Sequence, residues 1–142
     1  MLKVEAIKEG TVIDHIKVGK GTKILRLLGM DERHEGSVAL LSNVKSKKLG
    51  KKDIVKLEGV FPSDEKLNLI ALVSPEATVN IIKDSKVVEK KNVEMPEELR
   101  IGHCPNPSCI TNNEEMGRHF KKEGGKYRCV YCERVFSSEE LV

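Results

Sequence analysis

The amino-acid sequence predicts an α+β chain of two unlike parts, and three observations carry that expectation. All four cysteines fall in the last 39 of 142 residues, as Cys104-Pro-Asn-Pro-Ser-Cys109, a nineteen-residue span, and Cys129-Val-Tyr-Cys132. The long cysteine-free stretch before them alternates short runs rich in Val and Ile with two segments of helical spacing. Between the two, Met95-Pro96-Glu97-Glu98 reads as a hinge, which divides the chain into domains 1–95 and 96–142.

In the first part, residues 11–17 are β-branched and loosely alternating, which predicts a strand after Gly10. A helix follows, with Thr22 as its cap, Ile24, Leu25, Leu27 and Leu28 as its apolar face and Gly29 as its stop. Residues 37–43 and 53–57 read as two strands, joined by a polar turn over 45–52 that contains Gly50. Ser63 caps a second helix, Asp64 and Glu65 suit its first turn, and Leu67, Ile70 and Ala71 share a side before Pro75. Residues 77–82 form a fourth strand, Asp84-Ser85 a turn, and residues 86–90 a fifth strand. The order β-α-β-β-α-β with an added strand is the split arrangement of ferredoxin-like folds: an antiparallel sheet with two helices on one face and the other face open.

The second part is too short for a secure core of its own. Two close thiol pairs at this separation can each aim two sulfurs at one point, and four thiolates make a closed tetrahedral Zn²⁺ shell. A closed shell leaves no position for water or substrate, so one structural ion on Cys104, Cys109, Cys129 and Cys132 is expected, in a small β-rich domain. His103 and His119 stand near the cysteines but are surplus to a four-sulfur site. Short strands are expected at 127–128 and 134–136.

Two disulfides would suit a secreted chain. The sequence opens Met-Leu-Lys-Val-Glu without an apolar signal region and has no apolar run near 18 residues, so a cytoplasmic protein with reduced thiols and no membrane partner is expected. Lys and Arg number 18 against 16 acids in residues 1–98 and 7 against 6 in residues 99–142, so neither part is a basic arm or an acidic tail. That balance argues against the competing reading, a zinc-ribbon nucleic-acid binder. Such a protein needs a basic face studded with aromatics, and this half offers only Phe120, Tyr127, Tyr131 and Phe136. Glutamine is absent while Lys and Glu abound, a bias that resembles heat-adapted proteins.

The sequence holds no nucleophile elbow, phosphate loop or His-Glu-x-x-His, and its four histidines are dispersed, so no enzyme is expected. Lys52 and Lys56 differ by four and share one sheet face. With Lys90, Asp14-His15 and Asn80 they would make a pocket for a phosphorylated ligand, ammonium groups meeting phosphates and Asn reading base or sugar.

Several segments in order resemble the regulatory chain of aspartate carbamoyltransferase: Val4-Glu5-Ala6-Ile7, residues 10–16, residues 52–58, Ala77-Thr78-Val79-Asn80, Val87-Val88, Cys104-Pro-Asn and Tyr131-Cys132-Glu133. The resemblance implies a non-catalytic allosteric subunit of pyrimidine biosynthesis, whose homodimers tie catalytic trimers together. Its first domain would bind nucleoside triphosphates of the CTP, UTP and ATP class, and its zinc domain would grip the catalytic chain. By the same resemblance Val4, Glu5, Ala6 and Ile7 line the base and Asp14 the ribose. His15, Lys56 and Lys90 face phosphate or sugar, and Ile54, Asn80, Ile82 and Val87 complete the pocket. Two features depart from the family pattern: Ser85, where an aromatic is expected, and the short span between thiol pairs.

Overall fold

The computed structural model describes residues 7–30, 37–47 and 50–142. The chain forms two compact units, Met1–Glu94 and Met95–Val142.

In the first unit, β1 (Gly10–Lys17), β2 (Val38–Ser46), β3 (Gly50–Glu58), β4 (Thr78–Lys83) and β5 (Lys86–Asn92) build one antiparallel sheet in the order β2-β3-β1-β4-β5. Helices α1 (Gly21–Leu27) and α2 (Asp64–Val73) cover one face. Alternation explains which face. Ile13 pairs with Val55 and Val79, all fully buried, and with Leu57, Ile24, Ile70 and Leu72 they form the core. The intervening residues Val12, Lys56 and Asn80 turn to the helix-free side and stay partly exposed.

Two of the helix ends follow local chemistry. Ser63 accepts a hydrogen bond from the Lys66 N–H and caps α2, with Asp64 and Glu65 in the first turn. Gly29, at φ +74°, closes α1: its N–H donates to Arg26 O while the Met30 N–H donates to Leu25 O, a Schellman pair. The start of α1 differs from expectation. Lys20, not Thr22, is the N-cap; its ammonium has no acceptor with which to cap the helix, and the carboxylate of Asp53 on β3 takes the Gly21 N–H instead. Strands β2 and β3 also run further than expected, into the lysine-rich stretch that reads as turn. Lys45 pairs with Lys51 there, and exposed lysines on a hairpin end cost the ladder little. Asp84 and Ser85, both at positive φ, form the two-residue β4–β5 turn.

In the second unit, β6 (Glu98–Leu99), β7 (Phe120–Glu123), β8 (Lys126–Cys129) and β9 (Val135–Ser137) form a four-stranded sheet in sequence order. A single helical turn, α3 (Ile110–Asn113), follows Cys109, and a 3₁₀ turn (Ser138–Leu141) ends the fold behind a Ser137/Glu140 capping box. Leu99, Phe120, Tyr127 and Leu141 are its buried apolar core, a small set for 48 residues. Among the described residues no helix is long and apolar enough to cross a membrane.

Candidate effector face and metal centre

On the open face of the first sheet, cross-strand register gathers residues that are far apart in sequence. Lys56 opposes Val12, Val12 opposes Asn80, and Asn80 opposes Lys90, so these four form one row across β3, β1, β4 and β5. Asn80 Nδ2 is tied to Val12 O at 3.4 Å. Ile54 lies on the same face, one step along β3 from Lys56. At one end of the row Ile82 opposes Gly10 and Val87. Ile7 belongs to the segment entering β1 at that end, where Lys8 O accepts the Ser85 N–H and Glu9 O the Gly59 N–H. Val4, Glu5 and Ala6 lie outside the described residues. Ser85 occupies the β4–β5 turn rather than the row.

At the other end a bulge does what period-two alternation forbids. Between Ile13↔Val55 and Ile16↔Asp53, β1 has two residues, Asp14 and His15, where β3 has only Ile54. His15 takes φ +56°, which keeps it on the open side with Asp14 instead of turning it into the core. Its Nδ1 lies 3.3 Å from Thr78 Oγ1, and its N–H donates to Asp14 Oδ1 at 2.6 Å. The Lys52 ammonium sits 2.8 Å from the same oxygen. Burial raises the Asp14 pKa, but the Lys52 hydrogen bond and charge, the His15 N–H and the His15 ring together hold it below the ordinary 3.8. Lys52 is therefore occupied by Asp14. Among the described residues neither Lys56 nor Lys90 pairs with a carboxylate. Among the described residues the face presents two ammonium groups without a carboxylate partner, an amide and a histidine.

In the second unit the four cysteine Sγ atoms all lie within 4.8 Å of one another. Cys104 to Cys132 and Cys109 to Cys129 are each 3.7 Å, far beyond the roughly 2.05 Å of a disulfide. Four thiols this close cannot all ionise against one another. Burial pushes Cys104 up to about 12 and raises Cys129. Burial also opposes ionisation of Cys109, but hydrogen bonds from Thr111 outweigh it and bring that thiol to about 7. A dication at the common centre removes this conflict by letting all four be thiolates, so the donor set fits a metal.

The two sulfur-bearing turns are built differently. Cys129 ends β8, and Glu133 at φ +62° returns the chain so that Cys132 faces it. The Cys104–Cys109 loop is held by side chains that sequence reasoning missed: Asn112 Nδ2 donates to Cys104 O and Asn106 O, and Asn113 Nδ2 to Cys109 O. The paired asparagines directly after Cys109-Ile-Thr were the available signal. His103 and His119 stay outside the sulfur cluster. His119 Nε2 instead faces Glu98 at 3.7 Å.

Comparisons with known proteins match both parts of the chain. Residues 2–94 match the family model described as aspartate carbamoyltransferase regulatory chain, allosteric domain, and residues 100–142 match the one described as its metal binding domain. Aspartate carbamoyltransferase regulatory chains are similar over nearly the whole length. That of Pyrococcus furiosus is 56% identical, with 99% of this chain and 96% of that one covered. That of Thermococcus gammatolerans is 51% identical, with 99% and 96% covered, and that of Nitrosopumilus maritimus 44%, with 99% and 95%. The nucleic-acid-binding reading is not favoured. With an allosteric domain followed by a metal-binding domain, the chain belongs to the family of aspartate carbamoyltransferase regulatory chains, non-catalytic subunits of that enzyme.

Proposed function

We propose that this chain binds a nucleoside triphosphate of the CTP, UTP or ATP class on the open face of the first domain and passes the effect to catalytic chains held by the second. The observation that carries the reading is the row Lys56–Val12–Asn80–Lys90. Two ammonium groups in register, without carboxylate partners among the described residues, suit the phosphates. Asn80 offers an amide to sugar or base, and Asp14-His15 closes the polar end. Ile54, Ile82 and Val87 supply apolar surface for the base, and the family resemblance adds Ile7 and, outside the described residues, Val4, Glu5 and Ala6.

In the second domain, 96–142, Zn²⁺ is the ion that fits best. Four thiolates at about 2.3 Å from a tetrahedral zinc stand roughly 3.8 Å apart, and the two close sulfur pairs are 3.7 Å. The ion's role is to hold the two turns together, since the small core cannot. Ile110, Val130 and Tyr131 are exposed immediately beside the cysteines, an apolar surface suited to a catalytic chain. A regulatory homodimer is supported by the sheet edges. β5 carries Lys86, Lys90 and Lys91, which discourage pairing, whereas β2 begins Val38-Ala39-Leu40-Leu41 and suits a second copy. The setting is cytoplasmic, where thiols stay reduced.

Isothermal titration of CTP, UTP and ATP into the full chain tests the reading. Saturable binding by wild type that weakens in both Lys56→Ala and Lys90→Ala supports it. Equal binding by all three proteins contradicts it.

A further inference from the structure

We infer that Asp53, on the buried face of β3, is a positioning residue for the effector face, holding Asp14, His15 and Lys52 in register from behind the sheet. The inference deepens the nucleotide reading above and rests on it. Asp53 is 1% exposed and, among the described residues, its carboxylate accepts four hydrogen bonds. Oδ2 takes the N–H groups of Gly19 and Gly21 at 3.0 Å each. Oδ1 takes the Asn43 N–H at 3.0 Å and Ser42 Oγ at 3.2 Å. Four donors fill the acceptor capacity of a carboxylate.

Those donors belong to two different segments. Gly19 lies in the turn that leaves β1, two residues beyond its end, and Gly21 opens α1. Ser42 and Asn43 form a bulge in β2, where two residues oppose Asp53 alone and Asn43 takes φ +62°. The β1 bulge of Asp14 and His15 faces the adjacent residue, Ile54. Asp53 and Ile54 are thus the point of β3 at which both flanking strands carry an extra residue, and Lys52 re-enters register just past it, against Lys17 and Val44. A one-residue slip of β1 beyond the bulge would turn each following side chain to the opposite face and separate Lys52 from Asp14. The carboxylate opposes that slip by fixing both bulged strands to β3. Gly21 fits the arrangement, because a Cβ there would stand 2.4 Å from Leu40 Cδ1 and 3.1 Å from Asp53 Oδ2.

The test is CTP titration into full-length chain at a temperature well below melting, for Asp53→Asn, Asp14→Asn and the double variant. An Asn offers one acceptor oxygen and turns an NH₂ toward two donors, so Asp53→Asn should weaken CTP by about tenfold, the scale of one charge-assisted hydrogen bond. If Asp53 acts through Asp14, Asp53→Asn should cost little further affinity in the Asp14→Asn background, which a general loss of stability would not produce. A core variant, Val79→Ala, should lower the melting temperature and leave CTP affinity unchanged. If Asp53→Asn does not fold, Ser42→Ala removes one donor only and should weaken CTP about threefold, again only while Asp14 is present. Weakened binding in Lys56→Ala with full affinity in Asp53→Asn or Ser42→Ala overturns the positioning role alone. Full additivity with Asp14→Asn does the same. Full affinity in Lys56→Ala overturns the nucleotide face and the inference with it.

Discussion

The Lys52 ammonium lies 2.8 Å from Asp14 Oδ1, with the His15 N–H on the same oxygen at 2.6 Å. This pairing distinguishes the lysines of one sheet face: Lys52 is tied to Asp14, whereas Lys56 and Lys90 pair with no carboxylate among the described residues.

Lys56→Ala and Lys90→Ala should each weaken triphosphate binding by roughly 1 to 3 kcal/mol, the range for losing a hydrogen bond to a charged group. Metal content should stay the same, because the cysteines lie in the other unit. Calorimetry and metal analysis on the same preparations check both statements.

Asp14 gives a pH signature. Its folded pKa lies below the ordinary 3.8, so the stabilisation it supplies is present above that value and is lost as pH falls through the folded pKa. Asp14→Asn should therefore melt lower than wild type at pH 6, with the gap narrowing from about pH 4 downward. A gap that stayed constant across that range would show that Asp14 is not held by Lys52 and His15.

Tyr127 is fully buried and its hydroxyl donates to Pro96 O at 2.6 Å, while burial and Glu97 push its pKa up to about 12. Tyr127→Phe should lower stability by about 1 kcal/mol, the typical worth of one hydrogen bond, without altering nucleotide affinity. Denaturant melts followed by a probe in residues 95–142 measure the first effect.

Removal of the metal should unfold the second unit and spare the first. Metal binding to thiolates is folding energy for a domain whose apolar core is four side chains, whereas Ile13, Val55, Leu57, Ile70 and Val79 need no ion. Hydrogen exchange after chelation should rise throughout residues 99–141 and remain low in β1, β3 and β4. Persistent protection of β7 and β8 in metal-free chain would contradict a structural role for the ion.

Much of this molecule was legible in its sequence because its signals were local or periodic. The thiol spacing marked the metal centre, Ser63 marked the start of α2, and the separation of four between Lys52 and Lys56 put them on one face. What escaped notice depends on partners distant in sequence. Asp53 read as an ordinary strand-opening acid, yet it caps α1 from another strand, which is why Thr22 was the wrong choice of cap. The bulge at His15 cannot be seen in the alternation of β1, since a non-glycine at φ +56° leaves no sequence mark. Asn112 and Asn113 have partners close in sequence, but the hold of their amides on the carbonyls of the first sulfur turn depends on the folded shape of that loop.

The central claim, that this chain couples a nucleotide on one domain to a catalytic partner held by the other, is tested most directly by reciprocity. The measurement is the aspartate saturation curve of complexes assembled from metal-loaded chain and catalytic subunits, with and without CTP, paired with CTP affinity with and without a substrate analogue. The account predicts that each ligand shifts the other by the same factor, a coupling of about 1 to 3 kcal/mol, and that Lys56→Ala removes both shifts. CTP that binds the complex yet leaves the aspartate curve unmoved would contradict it.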